Sequence, residues 1–248
     1  MAEIIGVIER LWRYPVKSTG GERLDSVEVE RRGLAGDRLY AVRDAAGRFG
    51  SGKNTRRFRR MDGLLRLSSR LGHRLDGPEL FDPLGRPVAD PTAFLRAYLQ
   101  REDVELARED AVSHFDQLPV SVITTATLDW AREAAPLTVV DERRFRPNIV
   151  LRTPPGTPPF VEDTWFGREG RTEAPDGARL AFVRSSERCA MTSAAQPGLP
   201  HAPELLKAVV AAHDGRLDAL AEVAAPGRLR VGDRLTLARS IAMEQAGQ

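Results

Sequence analysis

The sequence predicts a mainly β protein with a few helices, of the α+β class. Short apolar or alternating segments recur through the first third of the 248 residues, and glycine-containing turns separate them. Strands this short with turns this frequent are typical of antiparallel barrels and sandwiches rather than of βαβ units. A hydrophobic content of 42% and a charged content of 29% are ordinary for a folded chain, which excludes a disordered one.

The strands of the first third are predicted from their alternation and from the turns that close them. They are Ile4 to Trp12, Leu24 to Val29, Arg38 to Arg43, Leu64 to Ser69, His73 to Leu75 and Glu79 to Phe81. Asp44 to Gly47 follows the third of these strands and predicts a hairpin turn.

Helices and further strands are predicted in the rest of the chain. A helix is expected over Ala93 to Gln100, with Asp90 or Thr92 near its cap, because its apolar residues recur on one face. A second helix is expected to follow the strand Val120 to Thr125, with Thr125 or Thr127 as its cap, and to run to about Ala135. The remaining predicted elements are an apolar segment Phe145 to Leu151, strands Leu180 to Val183, Ala221 to Val223 and Leu235 to Leu237, and a helix Pro203 to His213.

A polar stretch near residues 105–118 separates two strand-rich halves of the chain. We therefore predict an N-terminal barrel-like module over residues 1–110 and a second β domain over residues 111–240. Residues 241–248 are expected to form a loose tail.

Charge and hydropathy narrow the classes of partner. The formal net charge of +2 is too small to indicate a nucleic-acid-binding protein. No apolar stretch reaches the ~18 residues of a membrane span, and the N-terminus lacks the basic leader and long apolar core of a signal peptide. A cytoplasmic protein without a membrane or nucleic-acid partner is expected, and a lone thiol suits that compartment.

The single cysteine, Cys189, follows the predicted strand Leu180 to Val183. One thiol cannot close an internal disulfide. This cysteine is therefore either a chemically inert residue that packs in the interior, or a reactive or metal-binding group. Arg184 and Arg188 lie close by in sequence, and cationic neighbours favour the thiolate, which binds soft metals. A buried, inert cysteine is the alternative, because free cysteines are often buried.

Two local motifs carry weaker signals. Gly47 to Asn54 nearly matches a phosphate-binding P-loop, but Asn54 occupies the hydroxyl position and the flanks predict a hairpin. The arginine-rich run from Lys53 to Arg60 is either solvated surface or the lining of an anion pocket, where guanidinium groups bind phosphate in pairs of hydrogen bonds.

Other chemistry-bearing residues are sparse. The four histidines form no paired spacing typical of zinc ligands, and no serine lies in a nucleophile-elbow motif. Glu162 and Asp163 precede Trp165 as an acidic pair that could handle protons, although acids in such positions are commonly solvated.

Six short motifs occur in one order along the chain. They are Tyr14-Pro15-Val16-Lys17-Ser18, Gly33-Leu34-Ala35-Gly36-Asp37-Arg38, Phe145-Arg146-Pro147-Asn148-Ile149-Val150, Glu162-Asp163-Thr164-Trp165, Arg188-Cys189 with Thr192, and Val231-Gly232-Asp233. In this order and spacing they resemble the MOSC family, which has a MOSC N-terminal β-barrel followed by a MOSC domain and includes the mitochondrial amidoxime reducing component and bacterial relatives. The resemblance spans about residues 4–237.

The resemblance implies a molybdenum cofactor, a pterin dithiolene with a terminal phosphate, whose metal takes one protein cysteine. Cys189 matches that ligand, and Asp163 is expected near the metal as a second catalytic residue. The residues that match the cofactor-holding positions are Lys17, Ser18, Arg38, Lys53, Thr124, Thr125, Arg146, Asn148 and Arg188. Either molybdenum or tungsten would suit this ligand set.

The implied activity is the two-electron reduction of small N-hydroxylated compounds such as amidoximes, hydroxylamines and N-hydroxylated bases. The electrons are expected from a separate donor protein, since the chain has no cysteine-rich cluster motif and no dinucleotide fingerprint. Relatives tend to continue Thr-Val-Asp-Pro after the cysteine segment, whereas this chain has Ser193 to Pro197 without that acid. Two alternatives stay open: a cofactor carrier or persulfide sulfur-transfer module that uses Cys189, and a nucleic-acid-binding barrel that uses Arg56 to Arg60.

Overall fold

A closed seven-stranded β-barrel forms the centre of the computed structural model, which describes residues 3–72 and 77–238. The strands are β1 (Glu3–Arg13), β2 (Glu22–Leu24), β3 (Ser26–Glu30), β4 (Gly33–Leu34), β5 (Tyr40–Asp44), β6 (Phe49–Ser51), β7 (Phe58–Arg60), β8 (Ser68–Leu71), β9 (Pro78–Phe81), β10 (Val104–Arg108), β11 (Val120–Thr124), β12 (Ile149–Arg152), β13 (Glu169–Thr172), β14 (Arg179–Glu187), β15 (Arg216–Ala225), β16 (Gly227–Arg230) and β17 (Arg234–Leu237). The helices are α1 (Pro91–Leu99), α2 (Thr125–Ala134) and α3 (Pro203–His213), and short 3-10 turns lie at Leu64–Arg66, Glu142–Arg144, Val161–Trp165 and Ala190–Thr192.

The barrel has the strand order β12-β11-β15-β14-β13-β17-β1, and the pairing of β1 with β12 closes it. Six of the eleven residues of β1 are buried, and Ile8 and Leu11 are fully buried inside the barrel. The barrel is thus completed by the first strand of the chain, which lies in the module predicted over residues 1–110. Closure leaves the barrel strands without an unpaired edge.

A smaller four-stranded sheet, β10-β5-β6-β7, packs with α1 beside the barrel. Its core includes Val42, Met61, Leu64 and Leu95, all buried. Gly47 to Asn54, the near match to a P-loop, forms the turn after β5 and the strand β6, with no helix behind it. The hairpin interpretation of this segment is therefore confirmed, since a phosphate-binding P-loop needs a helix after its glycines.

The predicted mainly β class with a few helices is confirmed, and the described residues contain three α-helices. Asp90 caps α1 by accepting a hydrogen bond from the Ala93 amide at 3.0 Å, and α3 has the predicted bounds, with Pro203 in its first turn. The cap of α2 is Thr124, one residue before Thr125 and three before Thr127, the two predicted positions, because its hydroxyl oxygen accepts from the Thr127 amide at 3.1 Å.

Some predicted elements differ from the structure. The expected strand Leu64 to Ser69 begins instead as the 3-10 turn Leu64–Arg66, because Gly63 before it has a φ of 98° and turns the chain. The expected strand His73 to Leu75 and the tail 241–248 lie outside the described residues. No helix in the described part of the chain is long and apolar enough to cross a membrane.

Candidate functional site

A cavity of about 130 Å³ opens between the barrel and the loops that precede and follow its strands. It brings together seven of the residues that the sequence analysis selected. They are Lys17, Ser18, Arg38, Arg146, Asn148, Arg188 and Cys189. Five basic and three acidic side chains line its wall, so the cavity is predominantly cationic.

Lys17 and Ser18 lie in the loop that follows β1. An isolated bridge between Val16 and Tyr40 places this loop against β5, and the Lys17 amide donates to the Tyr40 carbonyl at 2.8 Å. The Lys17 ammonium donates to the His114 carbonyl at 2.8 Å and pairs with Asp116. Burial of this ammonium lowers its pKa to about 8, although Asp116 opposes the shift.

Arg38 and Arg146 meet at the ring of Tyr14. Their guanidinium carbons lie 4.6 Å and 4.2 Å from the ring centroid, which is within cation–π range. Desolvation and the nearby charge of Arg38 lower the pKa of Arg146 to about 10. The two like charges are held together by the aromatic ring and by Asp37, which pairs with Arg38. Such a pair is well placed to take a polyanionic ligand.

Asn148 and Asp37 fix the frame behind these cations. Asp37 is fully buried and accepts hydrogen bonds from the Tyr14 amide at 2.7 Å and from Asn148 Nδ2 at 3.1 Å. Asn148 Nδ2 also donates to the Trp12 carbonyl, and its Oδ1 accepts from the Ser121 amide at 3.1 Å. Asn148 therefore ties the start of β11 to β1, and its amide is already engaged within the protein.

Cys189 follows β14 and directly precedes the 3-10 turn Ala190–Thr192. Its carbonyl accepts from the Thr192 amide at 2.9 Å, and the amide of Arg188 before it donates to the Gly215 carbonyl at 2.8 Å. These backbone bonds on both sides position the thiol, which is half-buried at the cavity wall. The sulfur is thus accessible from the cavity and is not part of the barrel core.

The side chain of Arg188, in the cavity wall, reaches Asp218 on β15. Arg188 Nη1 donates to Asp218 Oδ1 at 3.0 Å, and Nη2 donates to the Phe145 carbonyl at 2.6 Å. Among the described residues, Arg188 Nε and Asp218 Oδ2 have no hydrogen-bond partner. Buried polar atoms of native proteins are nearly always partnered, so these two atoms are available to bond a group held in the cavity.

Backbone strain is concentrated at this cavity. Seven non-glycine residues of the described chain have a positive φ, and four of them line the cavity. They are Ser18 (64°), Arg38 (48°), Arg146 (57°) and Asp218 (57°). Left-handed conformations cost about 1 kcal/mol or more and cluster at ligand sites, where the surrounding structure enforces them. No sequence pattern predicted this clustering.

Three selected residues lie elsewhere. Thr124 and Thr125 are at the far end of β11, whereas the cavity meets this strand at Ser121; Thr124 caps α2, and Thr125 bonds Thr153. Asp163 Oδ2 lies 2.7 Å from His213 Nε2, with which it is paired, and Asp163 does not line the cavity. A strand of five residues spans roughly 15 Å, which explains why its two ends serve different sites.

Lys53 lies at the border of the cavity. Its ammonium is 3.5 Å from Asp116 and 4.7 Å from the Phe58 ring centroid, beside Lys17. Asp116 therefore joins the two lysines, although the sequence analysis did not select it. The arginine-rich run beyond Lys53 does not line this cavity: Arg56 is exposed, Arg57 and Arg59 are half-buried, and Arg60 pairs with Asp62.

A second cavity of about 330 Å³ adjoins the first through Ser18 and Met191, which line both. Gly52 forms part of its wall, and a Cβ atom on Gly52 would lie 2.8 Å from Met191 Cγ. The segment that follows β6 in the smaller sheet therefore lies close to the segment that carries Cys189, and a larger side chain at residue 52 would force Met191 to move.

The residues of the first cavity fit a molybdenum cofactor. Lys17, Arg38 and Arg146 supply cations for a phosphate, and the unpartnered Arg188 Nε supplies a donor for a polar ring system. No group of three or more His, Cys, Asp or Glu side chains in the described residues could hold a metal by itself. A metal at Cys189 must therefore bring most of its ligands with it, as a dithiolene cofactor does.

Comparisons with known proteins agree with this architecture. The family model for the MOSC domain matches residues 109–236, and that for the MOSC N-terminal beta barrel domain matches residues 5–79. The crystal structure of the YUAD protein from Bacillus subtilis is similar in fold, with a TM-score of 0.53 and 14% identity over 96% of this chain and 98% of that one.

A crystal structure titled only as a hypothetical protein gives a TM-score of 0.43 at 13% identity, over 96% of this chain and 68% of that one. No curated protein gives a significant sequence match. The MOSC domain match alone covers more than half of the chain, and the N-terminal match covers most of the first third. The chain therefore belongs to the MOSC family, with a MOSC N-terminal beta barrel domain followed by a MOSC domain.

Proposed function

We propose that this protein is a molybdenum-cofactor-dependent reductase of small N-hydroxylated compounds. MOSC domains are molybdenum-cofactor-binding or sulfur-transfer domains, and this membership supports the cofactor. The observation that carries the proposal is the meeting of the only cysteine, Cys189, with Lys17, Arg38, Arg146 and Arg188 in one strained, cationic cavity.

The chain's residues have distinct tasks in this proposal. Lys17, Ser18 and Arg38 would hold the cofactor from the N-terminal side, and Arg146 and Arg188 would hold it from the MOSC domain. A thiolate from Cys189 is a soft ligand that suits a metal already bound by sulfur. When bound, the cofactor would supply two-electron redox chemistry, which no amino-acid side chain of this cavity provides.

An external electron donor is part of the proposal. Iron–sulfur clusters are held mostly by several cysteine ligands, and this chain has one cysteine in all. The electrons would therefore reach the cavity from a separate donor protein. Such a donor would have to approach the partly exposed segment around Cys189 and Ala190.

The carrier or sulfur-transfer alternative rests on the same thiol. Cys189 is half-buried at a cavity wall, where a persulfide would be both reachable and shielded. This alternative predicts either bound molybdenum without turnover or a sulfur adduct on Cys189 in the metal-free protein. Mass spectrometry of the intact protein, before and after treatment with a reducing thiol, detects such an adduct.

The test of the reductase is turnover by molybdenum-loaded protein. Benzamidoxime and an N-hydroxylated base are supplied with a chemically reduced viologen as electron donor, and the amidine and the free base are measured. Turnover by the wild type that is lost in Cys189→Ala supports the proposal. A loaded wild type that reduces neither compound would overturn it.

A further inference from the structure

Asp218 is presented to the cavity by a β-bulge. In the pairing of β14 with β15, Ser185 faces Ala219 and Ser186 faces Leu217, so Asp218 is an extra residue on β15. Its φ of 57° is the left-handed conformation that such bulges use. Bulges next to active sites re-aim a side chain, and here the neighbours Leu217 and Ala219 are buried while Asp218 lines the cavity.

The Asp218 carboxyl group is buried and only half satisfied. Its side chain has no solvent exposure, Oδ1 accepts from Arg188, and Oδ2 has no partner in the described part of the chain. Desolvation of an unpaired carboxylate oxygen is costly, whereas a protonated one can donate a hydrogen bond.

The charges around Asp218 come from three other elements. Arg188 after β14 and Arg38 after β4 favour the carboxylate, whereas Glu162 in the 3-10 turn Val161–Trp165 disfavours it. Glu162 is itself buried, and its carboxyl group bonds Thr124 and Thr127. Burial outweighs the two arginines and raises the pKa of Asp218 to about 7. The other charged residues of the cavity wall are Lys17, Asp116, Arg144, Arg146 and Glu187.

We propose that Asp218 is the carboxyl group that delivers a proton to the substrate in this cavity, a role that the sequence analysis expected of Asp163. The inference rests on the proposed reductase function. Asp163 is hydrogen-bonded to His213, whose ring stacks on Phe160 at 4.2 Å, on the side of the molecule where α3 ends. Asp218 shares the cavity with Cys189, and Asp163 does not.

The proton transfer balances as follows. Reduction of R–NHOH to R–NH2 and water takes two electrons and two protons, and the N–O bond breaks. Asp218 gives one proton from Oδ2 to the departing oxygen, which leaves as water. Solvent supplies the second proton, to nitrogen, and then reprotonates Asp218. The external donor supplies both electrons. A carboxyl group that titrates near neutral pH is well matched to such a transfer.

The first test needs neither metal nor turnover. Metal-free protein is labelled with ¹³C in its aspartate carboxyl groups, and the wild type and Asp218→Asn are titrated by NMR from pH 4 to pH 9. We expect one carboxyl resonance of the wild type to titrate near neutral pH and to be missing in the variant. If every aspartate of the wild type titrates below pH 5, or the neutral resonance persists in the variant, the proposal is wrong.

The second test uses molybdenum-loaded protein. Asp218→Asn is expected to retain its molybdenum and to lose at least 10-fold in kcat for benzamidoxime with a small change in KM, and Asp218→Glu is expected to regain part of the loss. The fall in wild-type turnover as the pH rises from neutral to alkaline values, where Asp218 loses its proton, should disappear in Asp218→Asn. Asp163→Asn is the matched comparison, and it should keep both kcat and the pH profile.

The remaining outcomes of the second test contradict the proton-delivery role of Asp218 or the reductase function. If Asp218→Asn loses both its molybdenum and its turnover, Asp218 is a residue that assembles the site. That result would overturn its role as the proton donor. Full activity in Asp218→Asn, or a loss confined to Asp163→Asn, would overturn it as well. If the loaded wild type has no reductase activity at all, the reductase function fails, and the NMR titration still decides whether Asp218 holds a proton near neutral pH.

Discussion

Asn148 Nδ2 and Asp37 Oδ2 are joined by a 3.1 Å hydrogen bond that connects two segments 111 residues apart in the chain. This bond fastens the Arg146-Pro147-Asn148 segment of the MOSC domain to the loop that carries Arg38. Because Asp37 also pairs with Arg38 and accepts from the Tyr14 amide, one buried carboxylate sets the positions of both sides of the cavity. The positions of the cationic residues in the cavity wall therefore depend on the carboxylate of Asp37, which lies behind them.

Replacement of Asp37 by alanine is expected to destabilise the fold and to empty the site. The change leaves Arg38 without its carboxylate and the Tyr14 amide and Asn148 without an acceptor. Breaking a buried ion pair by removing one partner costs about 3–5 kcal/mol. We therefore expect the free energy of unfolding, measured with urea, to fall by about 3 kcal/mol.

The control for this change is Asp129→Ala. Asp129 forms an exposed ion pair with Arg132 on α2, and its side chain is 65% accessible. Exposed pairs contribute little, so the unfolding free energy should change by less than about 1 kcal/mol. Equal effects of the two substitutions would contradict the role given to Asp37.

Anion binding by the metal-free protein is expected to weaken above about pH 8. Burial lowers the pKa of Lys17 to about 8, so its ammonium loses its charge as the pH rises through that value. Calorimetry with inorganic pyrophosphate should show a several-fold lower affinity at pH 9 than at pH 7. Lys17→Met should bind weakly at both values, without the step. An unchanged affinity of the wild type across this range would count against Lys17 as an anion ligand.

The same shift affects stability, with a defined sign. Between the native pKa of about 8 and the ordinary lysine pKa of 10.5, the unfolded chain binds a proton at Lys17 and the native protein does not. The free energy of unfolding of the wild type, relative to Lys17→Met, should therefore rise with pH in this window, by at most about 1.4 kcal/mol per pH unit. Urea titrations at a series of pH values measure it.

Gly52→Ala is expected to disturb the cysteine segment without unfolding the protein. A Cβ atom at residue 52 would lie 2.8 Å from Met191 Cγ, so the Met191 side chain must move, two residues after Cys189. We expect a lower molybdenum content, which the double variant Gly52→Ala with Met191→Ala should restore. Gly72→Ala is the matched control, because its Cβ would have no neighbour within 4 Å and its backbone needs no glycine. Failure of the double variant to recover would refute the contact as the cause.

Thr124→Ala is expected to change stability and leave the cofactor in place. Thr124 caps α2 through the Thr127 amide, and loss of such a cap costs about 1 kcal/mol. Because the cavity meets β11 at Ser121 and not at Thr124, molybdenum content should match that of the wild type. A folded Thr124→Ala protein that lacks molybdenum would instead return Thr124 to the cofactor site.

The fold was predictable where local chemistry decides it. The helix Pro203–His213 has its proline in the first turn and an apolar face, and both signals lie within the segment itself. The closure of the barrel could not be predicted from local sequence signals, because the pairing of Ile149 with Leu11 joins residues more than a hundred positions apart. The strand expected over Leu64 to Ser69 was wrong because the left-handed Gly63 turns the chain there.

The site residues that lie in short sequence motifs could be predicted from the sequence. Lys17, Arg146 and Cys189 stand in recognisable motifs, and the structure places them in one cavity. Asp218 could not be selected from the sequence, since its place in the cavity wall results from a bulge that inserts one extra residue into β15. Asp37 stands inside a motif, but only the structure shows which groups its carboxylate holds.

Metal analysis of wild-type protein and of Cys189→Ala, both purified from a host that makes the cofactor, tests the central claim most directly. Cys189 is the only thiol in the chain, so no other cysteine can replace it. We predict near-stoichiometric molybdenum, or tungsten, in the wild type and a large loss in the variant. Equal metal in both proteins, or none in either while a control molybdoenzyme is loaded, would contradict the assignment of Cys189 as the metal ligand.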